Sequence, residues 1–128
     1  GDLAVLVQGD DLQALFRHAA MAFFAILTDR RKIRGGVSRE IQLQAVSIEE
    51  LLVDWLGEFV YLFDTEGWLF RRFEIFELAQ CRLFARVWGE RYNEERHPTR
   101  TLIKAVTFHN LQIVLTGDGY EVTLVFDV

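Results

Sequence analysis

The residues of this chain best suited to chemistry lie at its extremities. Asp2 precedes the apolar run Leu3 to Val7, and Asp127 follows Phe126, with the α-carboxylate of Val128 adjoining it. Strands carrying these residues side by side would converge three hard oxygen ligands, the type required by calcium or magnesium and also suited to manganese. Otherwise the terminal acids are simply solvated. No catalytic residues are assigned, because the chain has no Gly-rich phosphate loop, no Gly-x-Ser-x-Gly elbow, no His-Glu-x-x-His and no cysteine pair. His18, His97 and His109 lack a second imidazole at ligand spacing; His18 is expected to be satisfied or exposed, His97 to lie in a loop and His109 to be hydrogen-bonded at a strand end. Cys81, with Leu78, Leu83 and Phe84 around it, is expected to be a small core residue.

Two charged clusters stand apart from those ends. Glu50, Asp54 and Glu58 recur at four-residue steps, so on a helix they form one acidic line, either a solvated flank or a docking strip for a basic partner. Arg30, Arg31, Lys32 and Arg34 run into the double glycine Gly35-Gly36, a loop that could touch phosphate but has no aromatics among its cations to stack bases. The net charge of −5 argues against strong direct binding to nucleic acid and points to a protein partner.

The elements that must position these groups are legible from periodicity. Ser47 and Glu50 have capping-box spacing, and Leu51, Leu52, Trp55, Leu56, Phe59, Val60 and Phe63 form one broad apolar face before Gly67. This predicts a helix of about 24 Å that serves as the packing surface of the domain. An earlier helix is expected from Asp10-Gln13 capping through Leu12, Leu15, Phe16, Ala19, Phe23, Ile26 and Leu27. Residues Asp2 to Gln8 read as a strand buried on both faces, inside the sheet, and Val37 to Ala45 as a half-exposed strand. Trp68 to Leu78 and Arg82 to Trp88 read as a hairpin, Gly89 to Thr101 as a surface loop, and Ile103 to Leu115 and Tyr120 to Phe126 as two strands joined by Thr116 to Gly119. The expected fold is α+β, a single domain over residues 1–128 with two helices on antiparallel-rich sheet.

With 128 residues the chain can bury a core without disulfides, and one cysteine fits a reducing, cytoplasmic setting. No apolar run is long enough to span a bilayer, so no membrane association is expected. No leader is legible, and Gly1 in place of an initiator methionine is expected to mean that earlier residues are missing or were processed.

Several blocks of the sequence resemble the archease family, accessory proteins of the tRNA-splicing RNA ligase. They are Leu51-Leu52-Val53-Asp54-Trp55-Leu56, Tyr61 to Gly67, Gly89-Glu90, Glu95-Arg96-His97, Lys104 to His109 and Val125-Phe126-Asp127-Val128. The resemblance implies a divalent metal, calcium foremost, held by Asp2, Asp127 and Val128, with Lys104 as a functional cation nearby. It departs from the family pattern at Ala4 and at Phe108, where tyrosine is commoner. The implied role is non-enzymatic, promoting guanylylation of the ligase and its repeated turnover. A small metal-dependent hydrolase and a chaperone-like modulator of another tRNA-modifying enzyme are the rival expectations.

Overall fold

The computed structural model describes all residues from Gly1 to Val128. In chain order they form β1 (Asp2–Gly9), α1 (Leu12–Leu27), a 3₁₀ turn (Arg30–Lys32), β2 (Val37–Gln44), α2 (Ile48–Glu66), β3 (Trp68–Ala79), β4 (Arg82–Arg91), β5 (Ala105–Val106), β6 (Val114–Leu115) and β7 (Tyr120–Asp127). The strands make two antiparallel sheets rather than one. The first has β7 at its centre, with β1 along one edge and the short β5 and β6 along the other; the second runs β2-β4-β3. Both helices pack against elements of both sheets.

The helix from Ser47 forms as its caps dictate. The Ser47 hydroxyl accepts from the Glu50 N–H at 3.1 Å, satisfying one amide that the first turn leaves unpaired. Gly67 ends the helix at φ 74°, a left-handed conformation that costs glycine little, and its N–H donates back to Phe63 O at 2.8 Å. Of the predicted apolar face, Leu51, Leu52, Trp55, Leu56 and Phe59 are fully enclosed, while Val60 and Phe63 are half-buried. Trp55 also donates its indole N–H to Phe16 O on α1 at 2.9 Å, so its polar atom is satisfied inside the core. Phe23 and Phe24 of α1 meet Phe59 at ring-centroid distances of 6.1 and 5.2 Å, and Phe126 of β7 reaches Phe23 at 6.1 Å, joining α1, α2 and the first sheet in one aromatic cluster. Each such ring contributes roughly 1.5–3 kcal/mol by leaving water.

Several expectations are corrected. The N-cap of α1 is Asp11, which accepts from Ala14 N–H at 2.7 Å, not Asp10. β1 is an edge strand rather than an interior one: Leu3, Val5 and Val7 face inward while Asp2, Ala4 and Leu6 are exposed, so its apolar residues outside the core misled the reading. Between Ile103 and Leu115 only β5 and β6 are strand, two residues each. Their short runs still pair with β7, and Thr116 N donates to Gly119 O at 2.7 Å to close the β6–β7 hairpin. Cys81 is not a core residue. It occupies the two-residue β3–β4 turn with Gln80, at φ 59° and 53°, and its carbonyl accepts from Ala45 N–H at 3.0 Å.

Gly89 on β4 sits where a Cβ would lie 1.9 Å from Leu69 O, so the second sheet can pair this closely only with glycine there. No helix is long and apolar enough to cross a membrane.

Candidate functional site

β1 and β7 run antiparallel with Asp2 opposite Asp127, Leu3 opposite Phe126 and Val5 opposite Leu124. Gly1 and Val128 exchange both backbone bonds, Val128 N to Gly1 O at 2.9 Å and Gly1 N to Val128 O at 3.0 Å. In an antiparallel ladder the next pair is then a non-hydrogen-bonded one, in which opposed Cα atoms approach to about 4.5 Å and the side chains stand close on one face. Asp2 and Asp127 are that pair. Because Leu3 and Phe126 point into the core, the two carboxylates stand on the outer face of the sheet.

Asp127 is on the central strand, so its backbone turns toward β5. Lys104 N donates to Asp127 O at 2.7 Å, and Ala105 is its register partner. This fixes the Lys104 backbone beside the two aspartates, three parts of the chain meeting at one tip. The Lys104 side chain is exposed and pairs with neither carboxylate, and neither Asp2 nor Asp127 is engaged in an ion pair.

The donor chemistry of this tip fits a hard cation. Two carboxylates uncommitted to any side-chain cation are the oxygen ligands that calcium, magnesium or manganese accept, and Val128 stands one residue on. No third His, Cys, Asp or Glu side chain joins them in a metal-holding group. A cation here would therefore keep several positions for water or for atoms of a partner.

The acidic line lies elsewhere, on α2. Asp54 is exposed, Glu50 and Glu58 are half-buried, and none of the three has an ion-pair partner. The adjacent Glu49 instead accepts from Ile113 N at 3.2 Å, holding the segment before β6 against the helix.

One polar cluster was missed by sequence reasoning. His97 is 1 % exposed, not a surface loop residue, and its ring reaches Glu90 Oε2 at 2.9 Å while Asn93 N donates to its Nδ1 at 2.8 Å. Arg96 also pairs with Glu90, and Arg34 N donates to Glu90 Oε2 at 2.7 Å. Burial alone would raise the Glu90 carboxyl; the bonds from Arg34 and His97 and the charge of Arg96 outweigh it and hold the carboxyl below its ordinary range. A carboxylate seven residues before a lone histidine was the signal available in the sequence. His18 binds Gln8 O through Nδ1 at 2.6 Å, and His109 is exposed in a turn rather than at a strand end.

The whole chain, residues 1–128, matches the sequence pattern of the archease protein family. It is 37% identical over 131 residues to the protein archease of Methanosarcina acetivorans, covering 99% of this chain and 90% of that one. The archease of Sulfurisphaera tokodaii is 30% identical over 128 residues, with coverage of 99% and 92%. The fold superposes on the solution structure of Methanobacterium thermoautotrophicum protein 1598 with a TM-score of 0.80, at 28% identity, over 99% of this chain and 92% of that one. It also superposes, with a TM-score of 0.72 at 20% identity and coverage of 98% and 90%, on a Thermotoga maritima archease described as a possible chaperone. With a pattern matched from end to end and relatives above 30% identity along nearly the full length, this chain belongs to the archease protein family.

Proposed function

We propose that this chain is a non-enzymatic activator of the tRNA-splicing RNA ligase, acting in the cytoplasm to promote guanylylation of the ligase and its multiple turnover. The observation that carries the reading is the Asp2–Asp127 pair on the outer face of the first sheet, with Lys104 fixed beside it by its backbone. Asp2, Asp127 and the Val128 carboxylate would hold a divalent cation, calcium foremost, and the bound ion would supply a charge that oxygen atoms of the partner can complete. Lys104 would moderate the opposed carboxylates and present a cation to the same partner surface. Glu50, Asp54 and Glu58 offer a second, acidic contact strip on α2.

The rival hydrolase reading needs a general base within reach of metal-bound water. The tip offers only its two opposed carboxylates, with no third acid or imidazole grouped beside them, which favours the accessory role. A chaperone-like action on another tRNA-modifying enzyme would use the same surface and differ in which enzyme responds.

The test is RNA ligation under multiple-turnover conditions by a cognate ligase, with and without this protein. Stimulation by the wild type, lost in Asp127→Ala and Lys104→Ala while both variants stay folded, is the expected result. No stimulation of a confirmed cognate ligase would overturn the proposal. Metal-dependent phosphoester hydrolysis by the protein alone, abolished in Asp127→Ala, would establish the hydrolase instead.

A further inference from the structure

Four arginines from three parts of the chain line one surface pocket. Arg17 comes from α1, Arg30 from the 3₁₀ turn, and Arg71 and Arg72 from β3, with Met21 and Phe73 completing a cavity of about 380 Å³. That size lies within the range of small-ligand pockets, roughly 300–1,000 Å³. The pocket shares no residue with the Asp2–Asp127 tip.

The backbone is arranged to bring the charges together. Regular alternation along β3 would send one of two successive residues inward. A register shift between Phe70 and Arg72 breaks that alternation, and Arg71 and Arg72 are both exposed. Arg30 reaches across to donate Nη2 to Arg71 O at 3.0 Å, and Arg71 donates Nη1 to Ile33 O at 3.3 Å. Backbone carbonyls orient these two guanidinium groups without neutralising them.

The charge is also left uncompensated. Arg17, Arg30 and Arg71 have no carboxylate partner, whereas outside the pocket every arginine except Arg34 is ion-paired. Arg72 alone has an acid, Glu74 at 3.2 Å, and its guanidinium lies 4.2 Å over the Trp88 ring. The Arg30 Nε is buried and has no hydrogen-bond partner. Its burial, and then the neighbouring Arg71 charge, disfavour the Arg30 cation, a cost that an anion between them would relieve. In a chain of net charge −5 such a grouping is not a by-product of a basic surface.

We propose that this pocket binds the phosphate group of a phosphate ester, the anion shared by free nucleotides and the RNA backbone, with Arg30 and Arg71 as principal donors and Arg17 and Arg72 at its sides. Phosphate offers more acceptor oxygens and more charge than a single carboxylate, and guanidinium forks match it in bidentate geometry. The inference stands apart from the ligase reading and does not require it.

The test is an NMR titration of the full chain at constant ionic strength with inorganic phosphate, adenosine monophosphate and a short single-stranded RNA. Saturable shifts should centre on Arg17, Arg30, Arg71 and Arg72. Arg71→Gln should weaken phosphate binding about tenfold or more, the loss of a charge-assisted hydrogen bond. Arg17→Gln, which breaks no intramolecular hydrogen bond, should also weaken it and serves if Arg71→Gln impairs folding. Lys32→Gln removes one charge from the neighbouring turn, outside the lining, and should leave the affinity within about twofold. RNA binding tighter than the mononucleotide, and weakening steeply when the titration is repeated at higher salt, would assign the phosphate to a backbone; equal affinity would assign it to a nucleotide. Shifts that do not saturate in the wild type, or an equal loss in Lys32→Gln, would overturn the proposal.

Discussion

His97 Nε2 lies 2.9 Å from Glu90 Oε2, and this contact ties the loop after β4 back onto the strand it leaves. With Asn93 N–H directed at Nδ1, the ring proton sits on Nε2 and is donated to the carboxylate. His97→Ala removes this donor and leaves both a cavity and a half-buried carboxylate short of a partner. The variant should lose about 2–3 kcal/mol in urea unfolding, with faster amide exchange from Asn93 to Thr101. A loss below about 0.5 kcal/mol, the ordinary range of surface changes, would show that the contact is dispensable.

Acid should attack the same loop and the turn after α1. Asp29 is held down to about 2, chiefly by the side-chain hydrogen bonds of Arg31, from an ordinary 3.8, and Glu90 is lowered from 4.5. Both folded-state values lie below the unfolded ones. Their stabilisation is therefore complete above the ordinary carboxylate range and is lost as pH falls through the lowered folded values. Stability measured between pH 5 and about 2 should decline, and Glu90→Gln should flatten its share of the decline. An unchanged profile in Glu90→Gln would refute that assignment.

Calcium should stabilise the wild-type fold through the tip. At a free concentration one hundred times the dissociation constant the gain is about 2.7 kcal/mol, readable as a rise in melting temperature. Asp2→Asn and Asp127→Ala should each reduce or abolish that rise while melting near the metal-free wild type. An identical calcium response in both variants would place the ion elsewhere.

The β3–β4 turn carries Gln80 and Cys81 in left-handed conformations that favour asparagine and glycine. Replacing the pair by Asn-Gly should stabilise the protein by about 1–2 kcal/mol, since left-handed backbone costs an ordinary residue about that much. Equal midpoints in chemical denaturation would argue against strain at this turn.

What the sequence made legible is what short-range chemistry decides. Ser47 and Gly67 bound α2 through contacts a few residues long, and the apolar period between them predicts its buried face. The β1 error arose because Ala4 and Leu6 are apolar yet sit on the outer face, and edge position depends on partners far along the chain. The Ile103–Leu115 stretch alternates enough to suggest a strand, but its ladder bonds to β7 are confined to two short pieces. The opposition of Asp2 and Asp127 follows from register, which no local pattern states; the family resemblance pointed to the pair, and the sheet order shows it face to face. The Arg71-Arg72 pair breaks the in-out alternation of β3, as Phe76-Glu77 does at the strand's second register shift, and the pocket needed Arg17 and Arg30 brought in from elsewhere.

The β1–β7 ladder has a kinetic consequence. It joins the first strand of the chain to the last, closing with a bond between positions 127 residues apart. A pairing of such high contact order cannot form before β7 has been synthesised, and loop-closure entropy disfavours it early in refolding. The two aspartates thus become neighbours only once β7 exists and has docked. Until β7 docks, Asp2 and Asp127 stay apart, so their opposition reports that the first sheet is complete.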